Sequence, residues 1–168
     1  KRLKTYVTSM NTLQRLEDIP INRDCIPTAD FIGQLRDTGK IICNGKQLIF
    51  LNEATVPTLF LDPEIVMQVF ENLLSNAVRY ADEAVTIKCR TEQNTLFLSV
   101  GDDGKGFDDI ALKSATNPFY TTGEGENQHL GIGLNICKIL CVRHGGNILL
   151  SNGAKKGAIV CTSFDMKK

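Results

Sequence analysis

Segment 62–81, with the sequence DPEIVMQVFENLLSNAVRYA, constrains this chain most because it predicts one amphipathic helix. Asp62 is a favoured helix N-cap residue. Apolar residues recur at helical spacing, at Val66, Val69, Phe70, Leu73, Ala77 and Tyr80. Asn72 and Asn76 lie on one side of the helix, with Arg79 close to the same line. At roughly 100° per residue this polar line borders the apolar stripe, and two amides beside a core face indicate a half-buried polar cleft.

Length and composition are those of an ordinary globular domain. The chain has 168 residues, 42% of them hydrophobic and 23% charged, which is enough for one domain with a core. Its formal net charge is zero, so the composition predicts no nucleic-acid surface. No apolar run reaches membrane-spanning length and no signal peptide is present, so we expect a cytoplasmic domain without membrane contact. Because the chain starts at Lys1, we expect a fragment of a longer protein, whose membrane anchoring the sequence leaves open.

The order of predicted elements indicates an α+β fold. We predict that residues 1–17 form a helix. This helix is either the C-terminal end of a dimerisation helix or a terminal helix of the same domain. We predict that residues 18–26 form a linker and that residues 27–168 form one domain. Within it we predict helices at 28–42, 62–81 and 130–143 and strands at 47–52, 58–61, 84–90, 96–100, 147–151 and 158–164. The expected architecture is a two-layer sandwich, a mixed and mostly antiparallel sheet of about five strands packed on three helices. We predict that the six cysteines are buried, reduced thiols.

Two glycine-rich turns are the next sequence feature that bears on function. GDDGKGF at 101–107 follows a predicted strand, and LGIGL at 130–134 opens a helix. Glycine permits close backbone approach, and a helix N-terminus offers N–H groups to phosphate, although its dipole is worth only about 0.3–1 kcal/mol. Strand alternation places Asp102 on the inward face and leaves Asp103 solvated. Asp102 could accept a hydrogen bond from the exocyclic amine of adenine, or it could cap its own turn.

The order of these motifs resembles the catalytic, ATP-binding domain of bacterial sensor histidine kinases and, more broadly, the GHKL ATPase superfamily. The similar segments are NLLSNAVRY (72–80), VGDDGKG (100–106), NPFYTTGEG (117–125) and LGIGL (130–134), which match the N, G1, F and G2 boxes. The resemblance covers roughly residues 24–164 and implies a fold of the Bergerat (GHKL) type. It also implies transfer of the γ-phosphoryl group of Mg-ATP to a histidine on the protein's own dimerisation domain, with a response regulator as the next partner.

The resemblance implies a role for each matching residue. Asn76 would bind Mg²⁺, while Asn72 and Arg79 would act on the phosphates. Asp102 would bind the adenine amine, with two G1-box glycines leaving room for the base. Residues 108–129 would form a mobile ATP lid anchored by Phe119. Further nucleotide contacts are implied for Tyr80, Gly104, Gly106, Phe107, Thr121, Thr122, His129, Leu130, Gly131, Gly133 and Leu134.

The chain departs from the family pattern at the phosphoacceptor. Its two histidines, His129 and His144, lie inside catalytic-domain motifs, so we expect the acceptor histidine upstream, on a domain that this chain lacks. Hydrolytic relatives carry a glutamate where Asn72 stands, and the nearest carboxylate here, Glu71, lies roughly 100° around the helix. An amide cannot act as a general base, a role worth roughly 10²–10⁴ in rate, so we predict slow ATP hydrolysis. The alternatives are a gyrase-type ATPase clamp, an anti-sigma-type serine kinase and a nucleotide-binding module without chemistry.

Overall fold

Seven strands and four helices are present in this computed structural model, which describes residues 15–120 and 131–167. The strands are β1 (Asp24–Pro27), β2 (Gln47–Glu53), β3 (Thr58–Leu61), β4 (Ala84–Glu92), β5 (Thr95–Asp102), β6 (Ile148–Asn152) and β7 (Ala158–Asp165). The helices are α1 (Thr28–Ile42), α2 (Pro63–Tyr80), α3 (Asp109–Ser114) and α4 (Gly133–Arg143). Of the helices in these two ranges, none is long and apolar enough to span a bilayer. Most of the predicted N-terminal helix, residues 1–14, lies outside the described residues, and its last residues, 15–17, are helical in addition to these four helices.

Five strands form the main sheet, in the order β2-β4-β5-β7-β6. β2 runs parallel to β4, and every other neighbouring pair is antiparallel. Burial alternates residue by residue along β4, β5 and β7, so that one face of the sheet packs on the helices and the other faces solvent. The predicted α+β sandwich with a mixed, mostly antiparallel sheet is therefore confirmed.

A second, two-stranded sheet pairs β1 with β3 in antiparallel register, from Asp24 opposite Leu61 to Pro27 opposite Thr58. β1 begins inside segment 18–26, which the sequence predicted to be a linker. The prediction is therefore wrong for the last residues of that segment. Four residues with a terminal proline carry little strand signal of their own, and their pairing with β3, more than thirty residues away, is a tertiary contact.

The rest of the predicted linker also lies against the domain. Ile19 packs against the hydrophobic core, which also contains Leu16 from the preceding segment 1–17. The guanidinium of Arg143, at the end of α4, donates to the carbonyl of Ile19 at 2.6 Å. The N–H of Asn22 donates to Oδ2 of Asp62 at 2.7 Å. Since these hydrogen bonds join the segment to α2 and α4, it is a docked extension of the domain.

The central helix α2 has the predicted bounds and the predicted cap. Oδ1 of Asp62 accepts hydrogen bonds from the N–H groups of Glu64 and Ile65, each at 3.1 Å. The buried face consists of Ile65, Val66, Val69, Phe70, Leu73, Leu74 and Ala77. Full burial of one such large side chain stabilises the fold by roughly 1.5–3 kcal/mol. Tyr80, which the apolar stripe included, is instead 42% exposed, because the helix ends there and the chain turns away.

Segment 108–129, predicted as a lid without secondary structure, begins with helix α3. Oδ1 of Asp108 accepts from the N–H of Ala111 at 2.6 Å and caps this helix. Ile110 projects from it with 67% of its surface exposed. The prediction is thus wrong for residues 109–114, where an N-cap and a short helix were not recognised.

All six cysteines are free thiols. Burial raises the pKa of Cys89 and of Cys141 to about 12, so both stay protonated at neutral pH. Cys25 is exposed and Cys161 is half-buried, so the prediction of burial is wrong for Cys25. It is confirmed for four cysteines: Cys43, Cys89, Cys137 and Cys141.

Candidate functional site

The two asparagines of α2 face the first residue of α4. Nδ2 of Asn72 donates to the carbonyl of Gln68 at 3.0 Å, which turns its Oδ1 away from the helix backbone. A Cβ placed on Gly133 would lie 3.6 Å from Nδ2 of Asn76 and 3.9 Å from Oδ1 of Asn72. Both asparagines are half-buried, as the position of their line beside the apolar stripe predicted. The structure thus brings together three residues that the sequence assigned to one site.

The start of α4 adds backbone donors beside these amides. Ile132 occupies the N-cap position and makes no side-chain capping bond, and the first turn holds no acidic residue. Among the described residues, no side chain accepts a hydrogen bond from the first N–H groups of the helix, a situation that favours an anion. Nδ2 of Asn135, in the same turn, donates to the carbonyl of Thr116 at 2.9 Å and anchors the chain that follows α3.

Arg79 and Tyr80 lie at the C-terminal end of α2, and both are exposed. The guanidinium carbon of Arg79 is 5.8 Å from the centroid of the Tyr80 ring, so the two side chains form a cation–π pair. Arg79 therefore contacts its neighbour in the helix, and its contact with the phosphates stays a prediction.

Asp102, the last residue of β5, holds a half-buried carboxylate with one oxygen engaged. Oδ1 accepts from the N–H of Gly104 at 2.9 Å and from the N–H of Ala158 at 3.3 Å. Within the described residues no hydrogen bond reaches Oδ2. Burial raises the pKa of Asp102, although these two hydrogen bonds act in the opposite direction. The turn-capping interpretation is therefore confirmed for Oδ1, while binding of the adenine amine by Oδ2 stays a prediction.

Three positions in the G1 and G2 boxes require glycine because other atoms of the protein lie where a side chain would be. A Cβ on Gly104 would lie 2.0 Å from the carbonyl oxygen of Tyr80 and 3.0 Å from Oδ1 of Asp102. Gly106 has φ +80°, and a Cβ there would lie 2.8 Å from Oδ1 of Asn152. The space freed by these two glycines is taken up by protein atoms, whereas we had expected it to leave room for a base. Gly131 is similar, since its Cβ would lie 2.1 Å from a backbone oxygen of the preceding chain.

Asp103 has a structural role beside the candidate site that the sequence analysis missed. Its carboxylate accepts hydrogen bonds from the N–H groups of Asp82, Glu83 and Ala84, at 2.9, 3.0 and 3.1 Å to Oδ1. These bonds hold the pKa of Asp103 below its usual range. Lys156 donates to Asp82 at 2.9 Å and links the same loop to the β6–β7 turn. Strand alternation correctly directed Asp103 outward, but only tertiary structure places three N–H groups of the α2–β4 loop around it.

The remaining predicted residues divide between the core and the undescribed segment. Phe107 and Leu134 are partly buried and pack against the hydrophobic core. Phe119, at the predicted lid anchor, has φ 65°, which is unusual for a residue other than glycine. Four predicted nucleotide contacts lie outside the described residues: Thr121, Thr122, His129 and Leu130.

Few protein ligands for a metal ion are available here. Across residues 15–120 and 131–167, no group of three or more His, Cys, Asp or Glu side chains could hold one. A divalent cation at the asparagine pair would therefore need most of its ligands from a bound phosphate and from water, which is the usual coordination of Mg²⁺.

Comparison with known proteins gives one family and several relatives. The family described as "Histidine kinase-, DNA gyrase B-, and HSP90-like ATPase" matches residues 61–168. Histidine kinase P4 of Formosa agariphila is 30% identical over 125 residues, 70% of this chain and 9% of that protein. Sporulation kinase E of Bacillus subtilis is 32% identical over 108 residues, 62% of this chain and 14% of that protein. The sensor histidine kinase WalK of Bacillus subtilis is 25% identical over 179 residues, 100% of this chain and 29% of that protein. The chain spans less than a third of each relative.

Solved structures of histidine kinases have the same fold. Full-length ShkA in complex with AMPPNP superposes with a TM-score of 0.82 at 20% identity, over 99% of this chain and 36% of that chain. The nucleotide-free catalytic domain of the histidine kinase ThkA superposes with a TM-score of 0.72 at 20% identity, over 86% of this chain and 96% of that chain. At such identities the likeness shows the fold alone.

Proposed function

Because this chain belongs to the family of histidine kinase-, DNA gyrase B- and HSP90-like ATPases, and resembles the ATP-binding domain of sensor histidine kinases, we propose that it binds Mg-ATP for phosphoryl transfer. The acceptor is a histidine on a separate dimerisation domain of the longer protein. A response regulator then takes the phosphoryl group, as two-component signalling requires.

The observation that carries this proposal is the approach of Gly133 to both asparagines of α2. The uncapped first turn of α4 comes against two neutral amides there, with 3.6 and 3.9 Å between the nearest side-chain atoms and a Cβ on Gly133. Free N–H groups at a helix start suit phosphate oxygens, and an amide oxygen is a hard ligand for Mg²⁺. The residues present therefore fit a magnesium-bound phosphate group.

The C-terminal end of α2 supports a nucleotide in particular. The contacts of Gly104 put Asp102 beside the carbonyl of Tyr80, the last residue of this helix. From Tyr80, Asn76 and Asn72 lie roughly 6 and 12 Å along the axis at 1.5 Å per residue. A carboxylate acceptor thus lies at one end and the amides lie further along. An elongated ligand with an amine at one end and phosphates at the other fits that order, and ATP is such a ligand.

The residues of this chain would act by positioning and not by base catalysis. Oδ2 of Asp102 is the acceptor left for the adenine amine. Asn76 would present its Oδ1 to Mg²⁺, and Asn72 would present its Oδ1 to a phosphate-bound water. Bound Mg²⁺ supplies neutralisation of the phosphate charge. Alignment and charge neutralisation of this kind suit transfer to an external nucleophile.

According to this proposal, the phosphoacceptor histidine belongs to another domain. His144 is fully buried, and its Nε2 accepts a hydrogen bond from the N–H of Asp62 at 2.9 Å. A buried ring with an engaged nitrogen cannot attack a phosphoryl group while the domain is folded. This supports a phosphoacceptor beyond the described residues.

Calorimetric titration with Mg-ATP tests the proposal. Asp102→Asn should weaken ATP binding by about tenfold or more, because an acceptor oxygen opposite the amine becomes a donor. Asn76→Asp should change the Mg²⁺ concentration at which ATP binding is half-maximal, because a carboxylate replaces a neutral ligand. Asp37→Asn, at an exposed site on α1, is the matched control and should leave both quantities unchanged. Unchanged ATP affinity in Asp102→Asn would place the base elsewhere and overturn the proposed site.

A further inference from the structure

The turn that carries Asp102 is held by a residue that no motif indicated. We propose that Asn152 is a positioning residue for this turn and thereby sets the preference of the site for adenine over guanine, an inference that rests on the proposed ATP site. Asn152 is the last residue of β6 and contacts the turn at the end opposite Asp102.

The amide of Asn152 binds the backbone of Phe107 through both of its polar atoms. Oδ1 accepts from the N–H of Phe107 at 2.7 Å, and Nδ2 donates to the carbonyl of Phe107 at 2.8 Å. One side chain thus satisfies the donor and the acceptor of one residue, as a neighbouring strand would do. Two bonds from a single planar group fix both the position and the orientation of that residue.

The other end of the same turn is held by the cross-strand partner of Asn152. Asn152 lies opposite Ala158 in the β6–β7 register. The N–H of Ala158 donates to Oδ1 of Asp102 at 3.3 Å. A Cβ on Gly157 would lie only 1.8 Å from the carbonyl oxygen of Asp102, so the backbone of the hairpin also approaches the start of the turn closely. One cross-strand pair therefore holds both ends of residues 102–107.

Loss of the Asn152 contact would release the flexible half of the turn. Gly104 and Gly106 lie between its ends, and Gly106 has φ +80°, so the position of this glycine-rich backbone depends on its contacts with neighbouring segments. The direction of Oδ2 of Asp102 then relaxes, and a hydrogen bond weakens steeply as its angle departs from linearity. Guanine carries a carbonyl oxygen where adenine carries the amine, so a fixed carboxylate there accepts from adenine and opposes guanine. Selectivity of this kind depends on an acceptor held in place.

Dissociation constants for Mg-ATP and Mg-GTP, with melting temperatures, test the inference in the full chain. Asn152→Ala should weaken ATP binding by about 5- to 20-fold and lower the ATP-to-GTP preference by a similar factor. Asn152→Asp should do the same, because a carboxylate oxygen replaces the donor that faces the carbonyl of Phe107. Ser151→Ala, at the exposed neighbouring position of β6, is the matched control and should change neither constant.

A double-mutant cycle shows whether Asn152 acts through Asp102. In an Asp102→Asn background, Asn152→Ala should change ATP affinity by less than about twofold, because the acceptor that it positions is already lost. An unchanged ATP-to-GTP ratio in both Asn152 variants would overturn the inference while leaving the ATP site standing. Equal losses for both nucleotides together with a melting temperature lowered by more than about 3 °C would show a purely structural role and overturn it as well. A wild-type chain that bound no ATP would remove the proposed function itself.

Discussion

The backbone N–H of Asp62 donates a 2.9 Å hydrogen bond to Nε2 of His144. Because the N–H is the donor, Nε2 must be unprotonated, so the imidazole is neutral and carries its proton on Nδ1. Nδ1 is buried and has no hydrogen-bond partner among the described residues. The ring packs edge-on against Phe164, with 5.5 Å between ring centroids. This bond joins the start of α2 to the end of α4, the two helices whose other residues form the candidate site.

The stability of the domain should fall as the pH drops below about 6.5. Burial lowers the pKa of His144 from its ordinary value of 6.5, so in this range the unfolded chain binds more protons than the folded one. The stabilising contribution is therefore complete above pH 6.5 and is lost as the pH falls towards the lower pKa of the folded state. The slope contributed by this one group is at most about 1.4 kcal/mol per pH unit. Urea denaturation between pH 7.5 and 5.5 measures it.

The variant His144→Asn serves as the control for this pH dependence. It should be less stable at pH 7.5 and should show a flatter profile between pH 7.5 and 5.5. Asp103, whose pKa is lowered, acts in a different window, since its contribution is lost only below pH 3.8. An identical slope in His144→Asn and wild type would assign the effect to another group.

Removal of the Asp62 carboxylate should cost more stability than removal of an exposed helix cap. Asp62 is 4% exposed and accepts hydrogen bonds at both carboxylate oxygens, including one from the N–H of Asn22 at 2.7 Å. Asp62→Ala should lower the free energy of unfolding by about 2 kcal/mol or more and speed amide exchange at Asn22. Asp108→Ala, which removes the exposed cap of α3, should cost less than about 1 kcal/mol. Equal losses in both variants would mean that the bond to Asn22 contributes nothing.

Two glycine-to-alanine substitutions should separate binding from folding. At Gly133 an added Cβ meets Asn76 and Asn72 at ordinary contact distances, so Gly133→Ala should change the free energy of unfolding by less than about 1 kcal/mol. Its methyl group would occupy the space between α4 and the asparagines, and we expect ATP affinity to fall at least fivefold. At Gly104 an added Cβ would lie 2.0 Å from a backbone oxygen, so Gly104→Ala should destabilise the fold by about 1–3 kcal/mol. Denaturation and calorimetry on the same samples distinguish the two cases.

ATP hydrolysis by the isolated domain should be slow and independent of Glu71. Glu71 lines a groove with Gln34 on α1 and Glu64 on α2, and it lies roughly 100° around the helix from Asn72, so we expect its carboxylate to face away from Gly133. Glu71→Gln should therefore leave the hydrolysis rate unchanged within about twofold, since a lost general base would reduce it roughly 10²–10⁴-fold. A phosphate-release assay measures the rate, and a large loss in Glu71→Gln would show that this carboxylate reaches the nucleotide.

Local sequence patterns were sufficient to predict much of this fold. The N-cap at Asp62, the period of α2 and the alternation along β4 and β5 are all short-range features, and each predicted the observed element. The pairing of β1 with β3 and the docking of segment 18–26 were not predicted. Both depend on contacts between residues that are far apart in the chain, such as Asn22 and Asp62, and no local period encodes them.

The candidate site, too, was predicted from the sequence in part and needed the tertiary structure for the rest. The sequence alone determined which chemical groups are available, two amides one turn apart on α2 and a carboxylate at the end of β5, because helix and strand periods fix the faces on which these side chains lie. Only the tertiary structure decided that Gly133 comes against the amides and that Asp103 and Asn152 hold the loops around Asp102. The physical reason is that these contacts involve backbone N–H and C=O groups, which every residue carries and which only folding brings into place.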